Sequence, residues 1–177
     1  MKLIVIRHGE TILNKEDRLQ GCKGPNVGLN DEGKRMVERL REHILVMPDI
    51  IYASPLKRTQ ETAHLINMRF RLPIINTVAL VERDFGTLSG KLRSEIDSKL
   101  VESDLEGRYD YRPYGGESVN EVRRRVQGFI DLLRSQREQT IMIVTHRGVI
   151  RILYDLYPES VAPEVITPAS QHVFSIE

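Results

Sequence analysis

Residues 2–10 read KLIVIRHGE. Leu3 to Ile6 is short, rich in β-branched residues and unalternating, the pattern of a strand buried on both faces. It stops abruptly at Arg7 and His8, with Gly9 behind them. Charge at a strand end is ordinary where the strand merely meets solvent. It is also what a site requires when a rigid strand carries a reactive imidazole. A second stretch repeats the pattern: residues 140–148, TIMIVTHRG, run from an apolar strand into His146, Arg147 and Gly148. In open α/β sheets, ligands bind outside the carboxyl ends of the strands. Two such strands side by side would bring both histidines to one edge.

Between these strands the periodicity alternates. Residues 12–30 are polar with several glycines and read as one long loop, a length associated with function. Residues 31–47 place Met36, Val37, Leu40 and Ile44 at helical spacing. DIIYAS, residues 49–54, is a second strand, and Ser54-Pro55 reads as the N-cap and first position of a helix over 55–68. PIINTVALVE, residues 73–82, reads as a third strand bent at Asn76, and a helix is expected near Arg93 to Val101. Ser118 and Glu121 form a capping box before a helix carrying Val119, Val122, Val126, Phe129, Ile130 and Leu133 on its apolar face. A helix over 148–157 and a last strand over 171–176 complete the chain. Strands alternating with helices predict one α/β domain over residues 1–177, a three-layer sandwich with a mostly parallel sheet flanked by helices.

The bulk composition narrows the function. A net charge of +1 argues against a general attraction to nucleic acid or to a membrane surface, so recognition of anions must be local. No apolar run approaches the length that spans a bilayer. Cys22 is the only cysteine, so no intrachain disulfide can form; a cytoplasmic location follows, and Cys22 is read as incidental. The Arg123-Arg124-Arg125 run is read as a solvated helix face. Against this neutral background, Arg7, His8, His146 and Arg58, near the start of the helix after Ser54, would concentrate positive charge at one place. A phosphoryl group is the guest that suits bidentate guanidinium contacts.

These residues resemble a known family. RHGET with Asn14, SPLKRTQET, ERDFG, GGES and VTHRGVIR, in that order, are similar to the motifs of the histidine phosphatase superfamily, the phosphoglycerate mutase-like group, over Lys2 to about Ile152. The resemblance implies His8 as the nucleophile that becomes phosphohistidine, with Arg7 and Arg58 clamping the phosphoryl oxygens. It implies His146 as the second pocket histidine and Glu82 as the proton donor. Asn14, Gln20 and Gly21 match positions bordering the phosphate and the substrate. The chemistry needs no metal and no other cofactor, because Arg7, Arg58 and His146 neutralise the transferred charge.

The sequence departs from the family pattern at Thr87-Leu88-Ser89, Gly28, Asn30, Phe85 and Arg147, all near positions where substrate is chosen. Arg147, with Lys23 from the long loop, is read in one of two ways: as a solvated surface charge, or as a cation that favours substrates carrying a second negative group. The resulting expectation is a metal-independent phosphatase acting on a small phosphorylated metabolite, with a homodimer as the assembly considered. The alternatives are a phosphoglycerate mutase and a non-catalytic phosphate-binding module. Mutases of the family carry a long insertion before the GGES-like loop, whereas here only residues 83–115 separate Glu82 from Gly116.

Overall fold

A computed structural model describes residues 1–176. Strands β1 (Lys2–Arg7), β2 (Ile50–Ala53), β3 (Ile74–Asn76), β4 (Thr140–Thr145) and β5 (Gln171–Ser175) form one sheet in the order β3-β2-β4-β1-β5. All pairings are parallel except β1 with β5. The unalternating apolar strands are explained by the two cores. Leu3, Val5, Ile141 and Ile143 point to one face, where helices α5 (Val119–Arg134) and α6 (Arg147–Leu156) pack. Ile4, Ile6, Met142 and Val144 point to the other, against α2 (Asp31–His43) and α3 (Lys57–Phe70). Every one of these strand residues is fully buried, and each apolar side chain so removed from water stabilises the fold by ~1.5–3 kcal/mol. Edge strand β5 is covered on one face only, and its buried residues alternate accordingly, with His172 and Phe174 inward.

The register sets the position of the site. Arg7 lies opposite Thr145, and the His8 N–H donates to the Thr145 carbonyl at 3.0 Å, so β1 and β4 end level with one another. The Ser54 N–H donates to the Val144 carbonyl at 3.1 Å, bringing the end of β2 to the same edge.

Helix starts follow their caps, and this moves several expected boundaries. The long loop contains a single helical turn, α1 (Ile12–Lys15), closed by reciprocal bonds between Thr11 and Asn14. Ser54 does not cap α3, which begins at Lys57; Asn26 of the long loop instead accepts from the Lys57 N–H at 2.9 Å. The third strand ends at Asn76, because Thr77 caps a 3₁₀ turn over Val78–Leu80, and Glu82 therefore sits on a loop. The helix expected near Arg93 is displaced. A 3₁₀ turn covers Arg93–Glu95, and α4 (Ser98–Leu105) starts where Asp97 accepts from the Lys99 and Leu100 N–H groups. The capping box is present as expected, with the Glu121 carboxylate accepting from both the N–H and the hydroxyl of Ser118. Among the described residues no helix is long and apolar enough to cross a membrane.

Candidate active site

His8 is buried at the end of β1, 3% exposed. Its Nδ1 lies 2.8 Å from the Gly9 carbonyl oxygen, which can only accept, so Nδ1 carries the proton and Nε2 keeps its lone pair. Gly9 is required by close packing. A Cβ there would fall 2.6 Å from the Gly33 carbonyl oxygen and 2.8 Å from Val37 on α2. The Gly9 N–H donates to the Thr62 hydroxyl at 3.1 Å, and that hydroxyl donates to the Arg58 carbonyl, tying the His8 turn to α3.

His146 is fully buried, with its ring centroid 5.2 Å from that of His8. The Arg58 Nε–H donates to its Nδ1 at 3.3 Å. The proton therefore resides on Nε2, which donates to the Ser54 hydroxyl at 2.9 Å. Arg58, 1% exposed, also donates to the Gln20 and Gly21 carbonyls at 3.3 and 3.2 Å. Arg7 donates to the Ile166 carbonyl at 2.6 Å.

Glu82 is held from both ends. Its carboxylate accepts from the Arg83 N–H at 2.9 Å and from the Gly148 N–H, in the first turn of α6, at 3.2 Å. A Cβ on Gly148 would sit 2.1 Å from Glu82 Oε1, so only glycine lets helix and carboxylate meet. The segment before Glu82 is pinned by the Thr145 hydroxyl on the Leu80 carbonyl and by Arg125 on the Ala79 carbonyl. Arg125 also pairs with Glu117 at 3.1 Å, and Glu117 accepts from the Asp84 N–H. Arg125 is thus a structural tie, not part of a solvated face.

Arg7, His8, Glu82, Asn14, Gln20 and Arg147 share one cavity of about 270 Å³. Arg58 and His146 do not line it; they are buried beside His8. The cavity wall carries five arginines against three carboxylates. Among the described residues, the buried side-chain nitrogens that find no acceptor are Arg7 Nε, Gln20 Nε2, Arg58 Nη1, and Arg83 Nε and Nη1. A buried donor without a partner costs ~1–3 kcal/mol. Concentrating these donors around one cavity makes a seat whose natural occupant is an anion with several oxygens.

The electrostatics agree. Burial, then the charges of Arg58 and Arg7, hold His8 well below the usual imidazole range. Burial and Arg58 do the same to His146. Burial pushes Arg58 down to about 10. Arg7 is pushed down to about 10 by burial and by the Arg147 charge. The site is a cluster of crowded cations with two neutral imidazoles.

Comparison with known proteins decides the family. Residues 3–164 match the model of the histidine phosphatase superfamily (branch 1). The chain belongs to the histidine phosphatase superfamily. Phosphoserine phosphatase 1 of Hydrogenobacter thermophilus is 36% identical, over 87% of this chain and 74% of that protein. Phosphoglycerate mutase-like protein 4 of Arabidopsis thaliana is 32% identical, over 99% of this chain and 79% of that one. The crystal structure of a phosphoglycerate mutase from Thermus thermophilus superposes with a TM-score of 0.80 at 29% identity, covering 98% of this chain and 92% of that one.

Within this member of the superfamily the structure brings together most of the residues expected from the sequence. Gly21 is an exception: it does not line the cavity but offers its carbonyl to Arg58. A Cβ there would lie 2.9 Å from the Arg83 carbonyl oxygen, so this glycine serves packing. Lys23 is another exception, because it is exposed, paired with Asp84 at 2.7 Å and absent from the cavity wall. Three further residues take part without a sequence signal that singles them out. Ser54 was legible only as a cap, while Arg83 and Arg93 line the cavity. Arg83 adjoins Glu82 within ERDFG, which was the one available signal.

The depressed histidines of the site, His8 and His146, carry a prediction for stability. An unfolded histidine titrates near pH 6.5, whereas folded His8 and His146 stay neutral below that value. Below pH 6.5 the unfolded chain therefore binds more protons, and stability falls as pH falls. The melting temperature of the ligand-free protein is expected to drop between pH 7.5 and 5.5. Replacing His146 by Gln should reduce that dependence, and a flat profile in the parent protein would contradict the burial of neutral imidazoles.

Proposed function

We propose that this histidine phosphatase hydrolyses a small phosphomonoester through a phosphohistidine on His8. The observation that carries the reading is the cavity lined by a neutral His8, Glu82 and the unpartnered donors of Arg7 and Gln20, with the unpartnered Arg58 Nη1 buried beside His8. Arg7 and Arg58 hold the phosphoryl oxygens. His8 Nε2 attacks phosphorus while the ester oxygen leaves, and Glu82 delivers a proton to that oxygen. The resulting Glu82 carboxylate takes a proton from water, whose oxygen attacks phosphorus. The P–N bond then breaks, its electrons return to His8 Nε2, and inorganic phosphate departs. His146 stays neutral and steadies Arg58. No step calls on a metal ion.

Hydrolysis is favoured over mutase activity by what occupies residues 83–115. Asp104 accepts from Arg83 at 2.8 Å and from the Tyr111 hydroxyl at 2.7 Å, with Tyr109 and Tyr111 buried around them. Asp104 thus ties this short segment to the core, while its Arg83, Phe85 and Arg93 form part of the cavity wall and exposed Asp17 lines the same cavity. Water reaching a phosphohistidine turns transfer into hydrolysis. The phosphoserine phosphatase among the relatives supports the same side.

The test is p-nitrophenyl phosphate turnover in excess EDTA, run beside incubation with 3-phosphoglycerate. Release of inorganic phosphate unaffected by EDTA is the expected result. Isomerisation to 2-phosphoglycerate without phosphate release would establish a mutase, and tight phosphate binding without turnover of any ester would establish a binding module.

A further inference from the structure

His172 is a buried histidine that the reaction does not use. It points inward from β5, 5% exposed, and both of its ring nitrogens are engaged. The direction of each bond follows from the partners. The Ser170 hydroxyl lies 2.7 Å from the Thr167 carbonyl oxygen, which only accepts, so its one proton is committed there. His172 Nε2, 2.8 Å from the same hydroxyl oxygen, therefore donates to it. Nδ1 keeps the lone pair and accepts from the Tyr154 hydroxyl at 2.8 Å. A one-way chain thus runs from Tyr154 on α6 through His172 and Ser170 to the Thr167 carbonyl. Burial and the Arg7 charge hold the His172 ring below the usual imidazole range, in the neutral state that the chain needs.

What the chain anchors is residues 166–170, the stretch that lies against the carboxyl end of β1. The Ile166 carbonyl accepts from Arg7 Nη1 at 2.6 Å, and the Ser170 carbonyl accepts from the Arg7 backbone N–H at 3.0 Å. The Ala169 N–H donates to the His8 carbonyl at 3.0 Å, and Pro168 forms part of the cavity wall. Ala169 has a φ of 55°, a left-handed conformation that a residue with a Cβ keeps only where its surroundings impose it. A guanidinium presents Nε and one Nη along an edge, the fork that meets two oxygens of a phosphoryl group. Arg7 spends Nη1 on Ile166, while its Nε has no acceptor among the described residues. The tether therefore leaves the Nε–Nη2 edge free for the ligand. We propose that His172, with Tyr154 and Ser170, is a positioning residue of the reaction: the chain fixes residues 166–170 so that the Ile166 carbonyl aims Arg7 at the phosphoryl group. This role rests on the reading of the same cavity as a phosphoryl seat, but concerns what holds its arginine, not which ester it receives.

Binding of inorganic phosphate, followed by ³¹P NMR so that weak affinities are read, tests this without turnover. His172→Leu removes both bonds of the chain. His172→Gln offers an amide that can donate to Ser170 and accept from Tyr154. Ser170→Ala removes one hydroxyl at the surface and carries the test if His172→Leu does not fold. Phosphate is expected to bind about tenfold more weakly to His172→Leu, the scale of one hydrogen bond to a charged group. Ser170→Ala should move the same way, and His172→Gln should recover most of the affinity. The deciding comparison repeats His172→Leu and Ser170→Ala on an Arg7→Met background, where Arg58 and Gln20 remain to bind phosphate. There the loss should vanish, because the chain acts through Arg7. A merely structural role would lower the melting temperature and either spare the affinity of the folded protein or reduce it equally with and without Arg7. Either of those results, or a parent that binds no phosphate, would overturn the proposal. Turnover of p-nitrophenyl phosphate by the parent reports on hydrolysis separately. The expected binding pattern without turnover would keep the positioning role and refute the phosphatase reading.

Discussion

Replacing His8 by alanine is expected to lower phosphomonoester turnover by about 10⁴-fold or more, the scale on which loss of a covalent nucleophile is felt. Among the described residues the side chain makes one hydrogen bond, to the carbonyl of its own neighbour Gly9, so its removal leaves the ties between strands and helices in place. Circular dichroism of the variant should match the parent. The arginines remain, so the variant should still bind inorganic phosphate. Binding without turnover is the combination that separates a nucleophile from a residue needed for folding or for assembling the seat. Turnover within tenfold of the parent would mean that another group receives the phosphoryl.

The second large effect is selective. Glu82→Gln should reduce kcat/KM for an alkyl phosphate by ~10²–10⁴-fold, the usual contribution of a general acid, and should spare p-nitrophenyl phosphate by comparison. An alkoxide needs a proton to leave, whereas a nitrophenolate does not. kcat/KM is the right quantity, since it stops at the first irreversible step and excludes the later hydrolysis in which Glu82 acts as base. The amide occupies the volume of the carboxylate, but it offers one oxygen to two N–H groups, those of Arg83 and Gly148. Any shift this causes acts on both substrates and cancels in their ratio. An equal loss on the two esters would remove Glu82 from the role of acid.

Much of this was readable from residues 2–10 and 140–148. An apolar run that does not alternate must be covered on both faces, and the two cores around Leu3 and Ile4 are that covering. His8 and His146 were recoverable because two buried strands ended in the same way. Element boundaries were less accessible, since a cap can come from far along the chain. Asn26 caps α3 across 31 positions, freeing Ser54 for His146, and no local pattern encodes such a bond. Glu82 reads as the end of a strand because PIINTVALVE is apolar and β-branched, but the strand's pairing with β2 ends at Asn76. Arg125 looked like one of three solvated charges; only the fold brings Glu117 and the Ala79 carbonyl to it. Lys23 and Arg147 were indistinguishable as cations near motifs. Their fates diverge because Asp84 neutralises one, while nothing within the described residues pairs with the other.

The central claim is that the phosphoryl group passes through His8, and the measurement closest to it is trapping the intermediate. Enzyme mixed with ³²P-labelled substrate, quenched in alkali within the first turnover and digested with protease, should carry label on the peptide containing His8. The linkage should survive alkali and be lost in acid, as a phosphoramidate is, and a chase with unlabelled substrate should convert it to inorganic phosphate at the rate of turnover. Label that is stable to acid on a serine or threonine, or turnover with no labelled protein at any time, would contradict the account.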